Sequence, residues 1–401
     1  MEKNKDGGAK MNLFDERINR YGTHSVKWDH TDAIYEKENL LPMWVADMDF
    51  RAPQAVIDAL TKRSQHGIFG YSMPTEDTKS AIQKWLDRRH KWSIQQDWIV
   101  FTPGVVLALS AAVNVYTKKG EKVVIQSPVY YPFRDMVEKN ERHVVDNPLR
   151  LEKDKYVMDY DHLEQTLKDP EVTMLLLCNP HNPVGRVWTR NELLKLAELC
   201  TRHNVLIVSD DIHFDLILKE NKHTLISTLS DDIASNTITC IAPSKTFNLA
   251  GMQLSTIIIP DSEKREQFNE YMGKLGLFAP SPFGITAIEA AYTHGEEWLE
   301  QLITYLEGNL DYLKSFIAER LPEIEVIEPE GTYLVWLDFR KLSMSHEELE
   351  RLIQEDAKLA LDEGYIFGEG GKGFERMNIA CPRSILKEGL ERLEQALLQR
   401  K

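Results

Sequence analysis

Residues 237–260 read TITCIAPSKTFNLAGMQLSTIIIP. Two apolar, β-branched runs, TITCI (237–241) and STIIIP (255–260), flank a turn that carries Lys245. Apolar runs bounded by turn residues predict strands, and strands apolar throughout are buried on both faces. The lysine therefore sits where a buried strand ends. An isolated lysine at such a point is ordinarily a solvated surface group. The other reading is an amine kept for chemistry.

Working outward, the same unit recurs. WIVF (98–101) leads into the helical pattern TPGVVLALSAAVNVYT, and KVVIQ (122–126) leads into SPVYYPF. VTMLLLC (172–178) leads into NPHNPVG, and VLIVS (205–209) into DDIHFD. Thr189 and Glu192 form a capping box ahead of Leu193, Leu194 and Ala197. Short apolar strands alternating with helices predict an α/β fold with a mostly parallel sheet. Past about residue 284 the texture changes to long helical patterns. These are followed by the alternating strand TYLVWLDF (332–339), a helix capped at SHEE (345–348), and GFERMNIACP (373–382), which reads as an edge strand. The expected division is a large α/β domain over 52–284, a smaller α+β domain from 11–51 with 285–401, and a disordered extension over 1–10. Pro53 suits the first turn of a helix.

With 401 residues, 42% of them hydrophobic, the chain is too long for one small domain and has ample material for a core. A net charge of −15 argues against nucleic acid as a main partner, because phosphate is repelled. The four cysteines, Cys178, Cys200, Cys240 and Cys381, form no C-x-x-C pair and have no zinc-ligand spacing. They read as reduced thiols in a reducing compartment, with no metal site. No apolar run reaches the ~18 residues of a membrane span. The N-terminus lacks the apolar core of a signal peptide. The expected location is the cytoplasm.

In a doubly wound sheet, ligands collect outside the carboxyl ends of the strands. The residues found there each have an ordinary reading. Asp210 caps a turn, or buries a carboxylate against a positive partner. Asn182 belongs to a proline-rich turn. Tyr130 packs in a core. Gly104 makes a turn, or opens a helix whose N–H groups bind phosphate. Arg376, in ERMNIA, is a solvated arginine at a strand edge, or an anion clamp. Together they suit one cofactor, pyridoxal 5'-phosphate. An amine forms a Schiff base with its aldehyde, and a carboxylate keeps its ring nitrogen protonated. An amide meets the ring hydroxyl, an aromatic stacks on the ring, a helix N-terminus takes the phosphate, and an arginine grips an amino-acid carboxylate.

The order Asn182, Asp210, Lys245, Arg376, in NPHNPVG, SDDIH, SKTFNLAG and RMNIA, resembles the fold-type I, aspartate aminotransferase-like enzymes of aminotransferase class I/II. More narrowly, SVKWD (25–29), LPMWVADMDF (41–50), GIFGYS (67–72), CNPHNP, APSKTFN and NIACPR resemble the MalY/PatB-type cystathionine β-lyases, over nearly the whole chain from Met11 on. The resemblance implies a mostly parallel seven-stranded sheet in a large domain beside the smaller α+β one. It implies Lys245 as the Schiff-base lysine, Asp210 as the ring-nitrogen partner, Asn182 as donor to the ring hydroxyl and Tyr130 as the stacking aromatic. Gly104, Val105 and Val106 match the phosphate-binding turn, with Ser244 adding a hydroxyl. His213 stands where many aminotransferases have a tyrosine beside the ring hydroxyl. Arg376 matches the clamp on the substrate α-carboxylate, and Ala46 lies near the substrate. Tyr71 matches a tyrosine that reaches the phosphate of the neighbouring subunit's cofactor, so a homodimer with shared active sites is implied.

Many aminotransferases place Trp-Arg after the glycine that follows the lysine motif, and that arginine holds the phosphate. This chain has Gly251-Met252-Gln253, a departure that the MalY/PatB pattern shares. The implied activity is a lyase acting on a small amino-acid substrate, L-cystathionine or a related cysteine S-conjugate, within methionine biosynthesis. The alternatives are an aminotransferase using a 2-oxo acid and, outside catalysis, a regulatory protein that contacts a transcription factor.

Overall fold

The computed structural model describes residues 12–400, so the extension expected over 1–10 lies outside the described residues. The central sheet contains β1 (Ile99–Thr102), β2 (Lys122–Ile125), β3 (His143–Asp146), β4 (Val172–Cys178), β5 (Leu206–Asp210), β6 (Thr237–Ile241) and β7 (Ser255–Ile258). These seven strands lie in the order β1-β7-β6-β5-β4-β2-β3. Strand β7 is antiparallel to β1 and β6, and every other pairing is parallel. The expected mostly parallel seven-stranded sheet is therefore present. Strand β3 has no counterpart in the sequence reading, because HVVD offers only a brief apolar signal and opens on an exposed histidine.

Alternate residues of each central strand enter different cores. Met174, Leu176 and Cys178 of β4 join Ala108, Leu109 and Ala112 of helix α1 (Val105–Tyr116) on one face. Leu175 and Leu177 join Leu193, Leu196 and Cys200 of helix α2 (Arg190–Arg202) on the other. Burial on both faces is why these runs are apolar throughout. Helix α2 begins at the Thr189–Glu192 capping box. Pro53 lies at the cap just ahead of the helix Gln54–Gln65, not inside its first turn as expected.

A second sheet contains β8 (Glu325–Ile327), β9 (Leu334–Asp338), β10 (Asp362–Glu363) and β11 (Phe374–Asn378), in the order β8-β9-β11-β10, all antiparallel. It packs with the long helix α3 (Glu296–Arg320) and with α4 (Arg383–Leu398) through a core that also holds Phe14, Phe214 and Phe247. Strand β11 corrects the edge-strand reading. It is an interior strand, buried along its length, with β9 on one side and β10 on the other. Its charged residues misled because what they face lies outside the segment: Asp362 lies opposite Arg376 and pairs with it, and Glu363 lies opposite Glu375, whose pKa burial and the neighbouring acids raise.

The two sheets meet at close backbone contacts. Gly185, in the NPHNPVG turn after β4, accepts hydrogen bonds from Glu330 N at 2.8 Å and Gly331 N at 3.1 Å. Its φ is +70°, and a Cβ there would lie 2.6 Å from the Pro329 side chain. Gly185→Ala combines a left-handed alanine with a steric clash, for an expected loss of about 2–4 kcal/mol. Urea unfolding tests this: the midpoint falls while the slope stays unchanged.

Candidate active site

The carboxyl ends of β1, β4, β5 and β6 open on a cavity of about 490 Å³. Its lining includes Ala46, Gly104, Val105, Val106, Tyr130, Asn182, Asp210, His213, Ser244, Lys245 and Arg376. All the sequence-predicted site residues except Tyr71 thus converge from distant parts of the chain. Tyr71 is 90% exposed and rests against Phe278 at 5.7 Å between ring centroids, away from the cavity.

Each position follows from local structure. Asp210 is the last residue of β5, so it lies at the carboxyl end of the sheet. Its carboxyl accepts from Ile212 N at 3.1 Å and is buried, and that burial raises its pKa to about 7. Lys245 lies in the short helix Pro243–Thr246 beyond β6. Its Nζ donates to Ala46 O at 2.7 Å. Burial lowers its pKa to about 8, with Asp47 opposing the fall and Arg376 adding to it. Val105 and Val106, the first residues of α1, line the cavity, and Gly104 caps this helix with φ +104° and no side-chain cap. That backbone angle, more than lack of space, calls for glycine.

Asn182 and Arg376 are joined directly. Arg376 Nη1 donates to Asn182 Oδ1 at 2.8 Å, which leaves the Asn182 amide hydrogens for the cavity. Arg376 Nη2 donates to Trp44 O at 3.1 Å and is ion-paired with Asp362. Its Nε is buried without a partner, as is Nδ1 of His213. Burial, then the Lys245 and Arg376 charges, hold the His213 imidazole well below its usual pKa, so the ring is neutral. The Tyr130 turn is tied to the Asn182 turn by Tyr130 N to Asn182 O at 3.0 Å.

The sequence reading missed Asp362, Trp44, Tyr131, Cys178, Gln253 and Ser255, which also line the cavity. It also missed Tyr333, whose hydroxyl donates to Ala46 O at 2.9 Å. Trp44 lies within the quoted motif LPMWVADMDF, which could have pointed to it. Asp362 had no local signal, because only the β10–β11 register places it against Arg376. Lys245 and Arg376 are the only lysine and arginine among the described lining residues. Ser244, Gln253 and Ser255 add neutral polar groups to the lining.

The family model for aminotransferase class I and II matches residues 39–393. The chain belongs to that family. It is 50% identical to cystathionine beta-lyase PatB of Bacillus subtilis (strain 168), over 96% of this chain and 99% of that protein. It is 36% identical to protein MalY of Escherichia coli (strain K12), over 96% of this chain and 98% of that protein. Among solved structures it resembles cystalysin from Treponema denticola, which contains a pyridoxal 5'-phosphate cofactor. The TM-score is 0.95 and the identity 40%, covering 98% of this chain and all of that one. The family's MalY/PatB branch is therefore the right frame for this site.

The donor set in the cavity fits that cofactor. A buried carboxyl with one backbone donor gains from a cationic N–H partner. Unpaired N–H groups at a helix start suit a phosphate. An amine with a depressed pKa is available to an aldehyde. One consequence of Asp210 burial is measurable. Between the ordinary carboxylate pKa and about 7, the folded protein keeps a proton that the unfolded chain has lost. This group's contribution to stability is therefore present at acid pH and lost as pH rises toward 7. Asp210→Asn removes the loss. Without cofactor, the variant's melting temperature is expected to rise relative to wild type between about pH 5 and pH 7.5. A constant difference across that range would contradict the burial argument.

Proposed function

We propose that the protein is a pyridoxal 5'-phosphate-dependent carbon–sulfur β-lyase. It takes L-cystathionine or a related cysteine S-conjugate and water to a thiol (homocysteine), pyruvate and ammonia by α,β-elimination. The observation that carries this reading is the pairing, in one cavity, of a lysine with a depressed pKa and a buried arginine whose Nε has no partner. The similarity to PatB over 96% of the chain supports it.

Bound there, pyridoxal phosphate supplies an aldehyde for the substrate amine and a cationic ring that draws electrons from Cα. The chain's own groups do the rest. Arg376 orients the substrate through its α-carboxylate. Lys245 Nζ takes the Cα proton, with Ala46 O fixing the direction of the amine. Asp210 holds the proton on the ring nitrogen, and the Asn182 amide donates to the ring hydroxyl oxygen. The neutral His213 and Tyr130 confine the ring. The N–H groups of Val105 and Val106, with Ser244, hold the phosphate.

The assembly belongs to the same proposal. Ile68, Phe69, Tyr71, Met73 and Phe278 are all more than half exposed, an apolar surface that a second copy of the chain would cover. In such a homodimer Tyr71 reaches the partner's phosphate. No described helix is long and apolar enough to cross a membrane. A cytoplasmic place in methionine biosynthesis, and the division into 52–284 and 11–51 with 285–401, complete the proposal.

The test adds L-cystathionine to holoenzyme without any 2-oxo acid. Pyruvate and thiol are expected in equal amounts, and both vanish in Lys245→Ala. Amino transfer that appears only once a 2-oxo acid is added would make the protein an aminotransferase instead. Arg376→Lys loses the planar fork. It is expected to raise KM about tenfold or more, with a smaller effect on kcat, in steady-state assays.

A further inference from the structure

Residues 44–50 run between the two sheets, and backbone groups of this segment point in two directions. Toward the cavity, Trp44 O accepts from Arg376 Nη2 at 3.1 Å, and Ala46 O accepts from Lys245 Nζ at 2.7 Å and Tyr333 Oη at 2.9 Å. Away from the cavity lies a cluster of four charged side chains. Lys27 is 1% exposed, and its Nζ donates to Asp49 Oδ2 at 2.8 Å and to Asp47 O at 3.3 Å. Arg20 donates to both carboxylate oxygens of Asp47, at 3.0 and 2.8 Å, and to Asp49 Oδ1 at 2.7 Å. Trp28 Nε1 completes the shell of Asp49 at 2.8 Å. Asn378 Nδ2 binds Val45 O and Asp47 O, each at 2.6 Å, and Asn248 Nδ2 binds Met48 O at 2.9 Å.

An apolar cluster of the same volume would hold a fold as well or better, because buried ions are costly to desolvate. What ions add is a single geometry and a defined local charge. We propose that Arg20, Lys27, Asp47 and Asp49 are positioning residues for the Lys245 amine and the Arg376 guanidinium, acting through the backbone of residues 44–50. Lys27 and Arg20 offset the carboxylate of Asp47, whose charge acts on Lys245. The other groups around Lys245 are Asp210, Arg376, the neutral His213 and the hydroxyl of Tyr333. Two hydrogen bonds and one peptide unit separate the Lys27 and Lys245 amines, roughly 10 Å. At that range a unit charge still shifts a protonation equilibrium by about half a unit.

The inference rests on Lys245 being the cofactor lysine of the proposed reaction. It is tested without substrate, so its failure is distinct from failure of the lyase assay. Holoenzyme carrying Lys27→Met, Lys27→Arg or Asp47→Asn is compared with wild type by pH titration of the bound cofactor's visible absorbance, which reads protonation at the lysine nitrogen. Lys27→Met is expected to raise the midpoint by about half a unit, and Asp47→Asn to lower it by about as much. Lys27→Arg keeps the charge and stays within about 0.2 unit of wild type. Lys27→Met also raises KM for cystathionine severalfold, because the Trp44 carbonyl no longer holds Arg376 in place. Midpoints that stay put, or that move in the same direction in Lys27→Met and Asp47→Asn, overturn the proposal whatever the melting temperatures do. If Lys27→Met does not fold, Asp47→Asn against Lys27→Arg decides alone. Borohydride reduction followed by peptide mapping fixes the site of attachment, and a cofactor found away from Lys245 overturns this inference and the functional reading together.

Discussion

A parallel sheet buried on both faces has to put its crossovers on the faces and its loops at the two ends of the strands. Everything at this site follows from that constraint. Strands β4, β5 and β6 run side by side in parallel register and end at one level. The loops that leave them carry Asn182, the β5 terminus carries Asp210, and the helix past β6 carries Lys245. The antiparallel β7 starts at the same end, with Ser255 opposite Thr102 of β1, which brings Gly104 and α1 alongside. The second sheet only has to deliver Arg376 across the gap.

Within this frame the chemistry depends on imbalance. Asp210 and Lys245 are each enclosed to the point of resisting their ordinary charges, one pushed up to about 7 and the other down to about 8. Both groups are relieved by a partner that is cationic at one end and electrophilic at another. Arg376, in contrast, is already paired with Asp362 and held by Asn182 and Trp44, and of its guanidinium nitrogens only the buried Nε has no partner. The site therefore holds reactive groups under tension and a recognition group at rest.

Much of this was legible in the sequence, for physical reasons that differ by residue. Strands buried on both faces announce themselves as unbroken apolar runs, and Lys245 and Asp210 are conspicuous because they interrupt that pattern at its ends. Capping boxes with glutamate at their third helical position, at Thr189–Glu192 and Ser345–Glu348, have a recognisable spelling. The box at Thr75 uses Thr78 instead, a residue equally at home in strands and turns. What stayed hidden is whatever depends on register between distant segments. Asp362 meets Arg376, and Glu363 meets Glu375, only because β10 pairs with β11. The same pairing turned an expected edge strand into an interior one. Strand β3 was too short to separate from a loop.

The contact between Gly185 and Pro329 has a thermodynamic side. A glycine backbone packed directly against Pro329, and accepting hydrogen bonds from Glu330 and Gly331, does not part from it without opening a void. The Asn182 turn therefore stands in fixed relation to the sheet that bears Arg376 before any ligand arrives. Ordering of that turn thus takes no part in the entropy cost of binding.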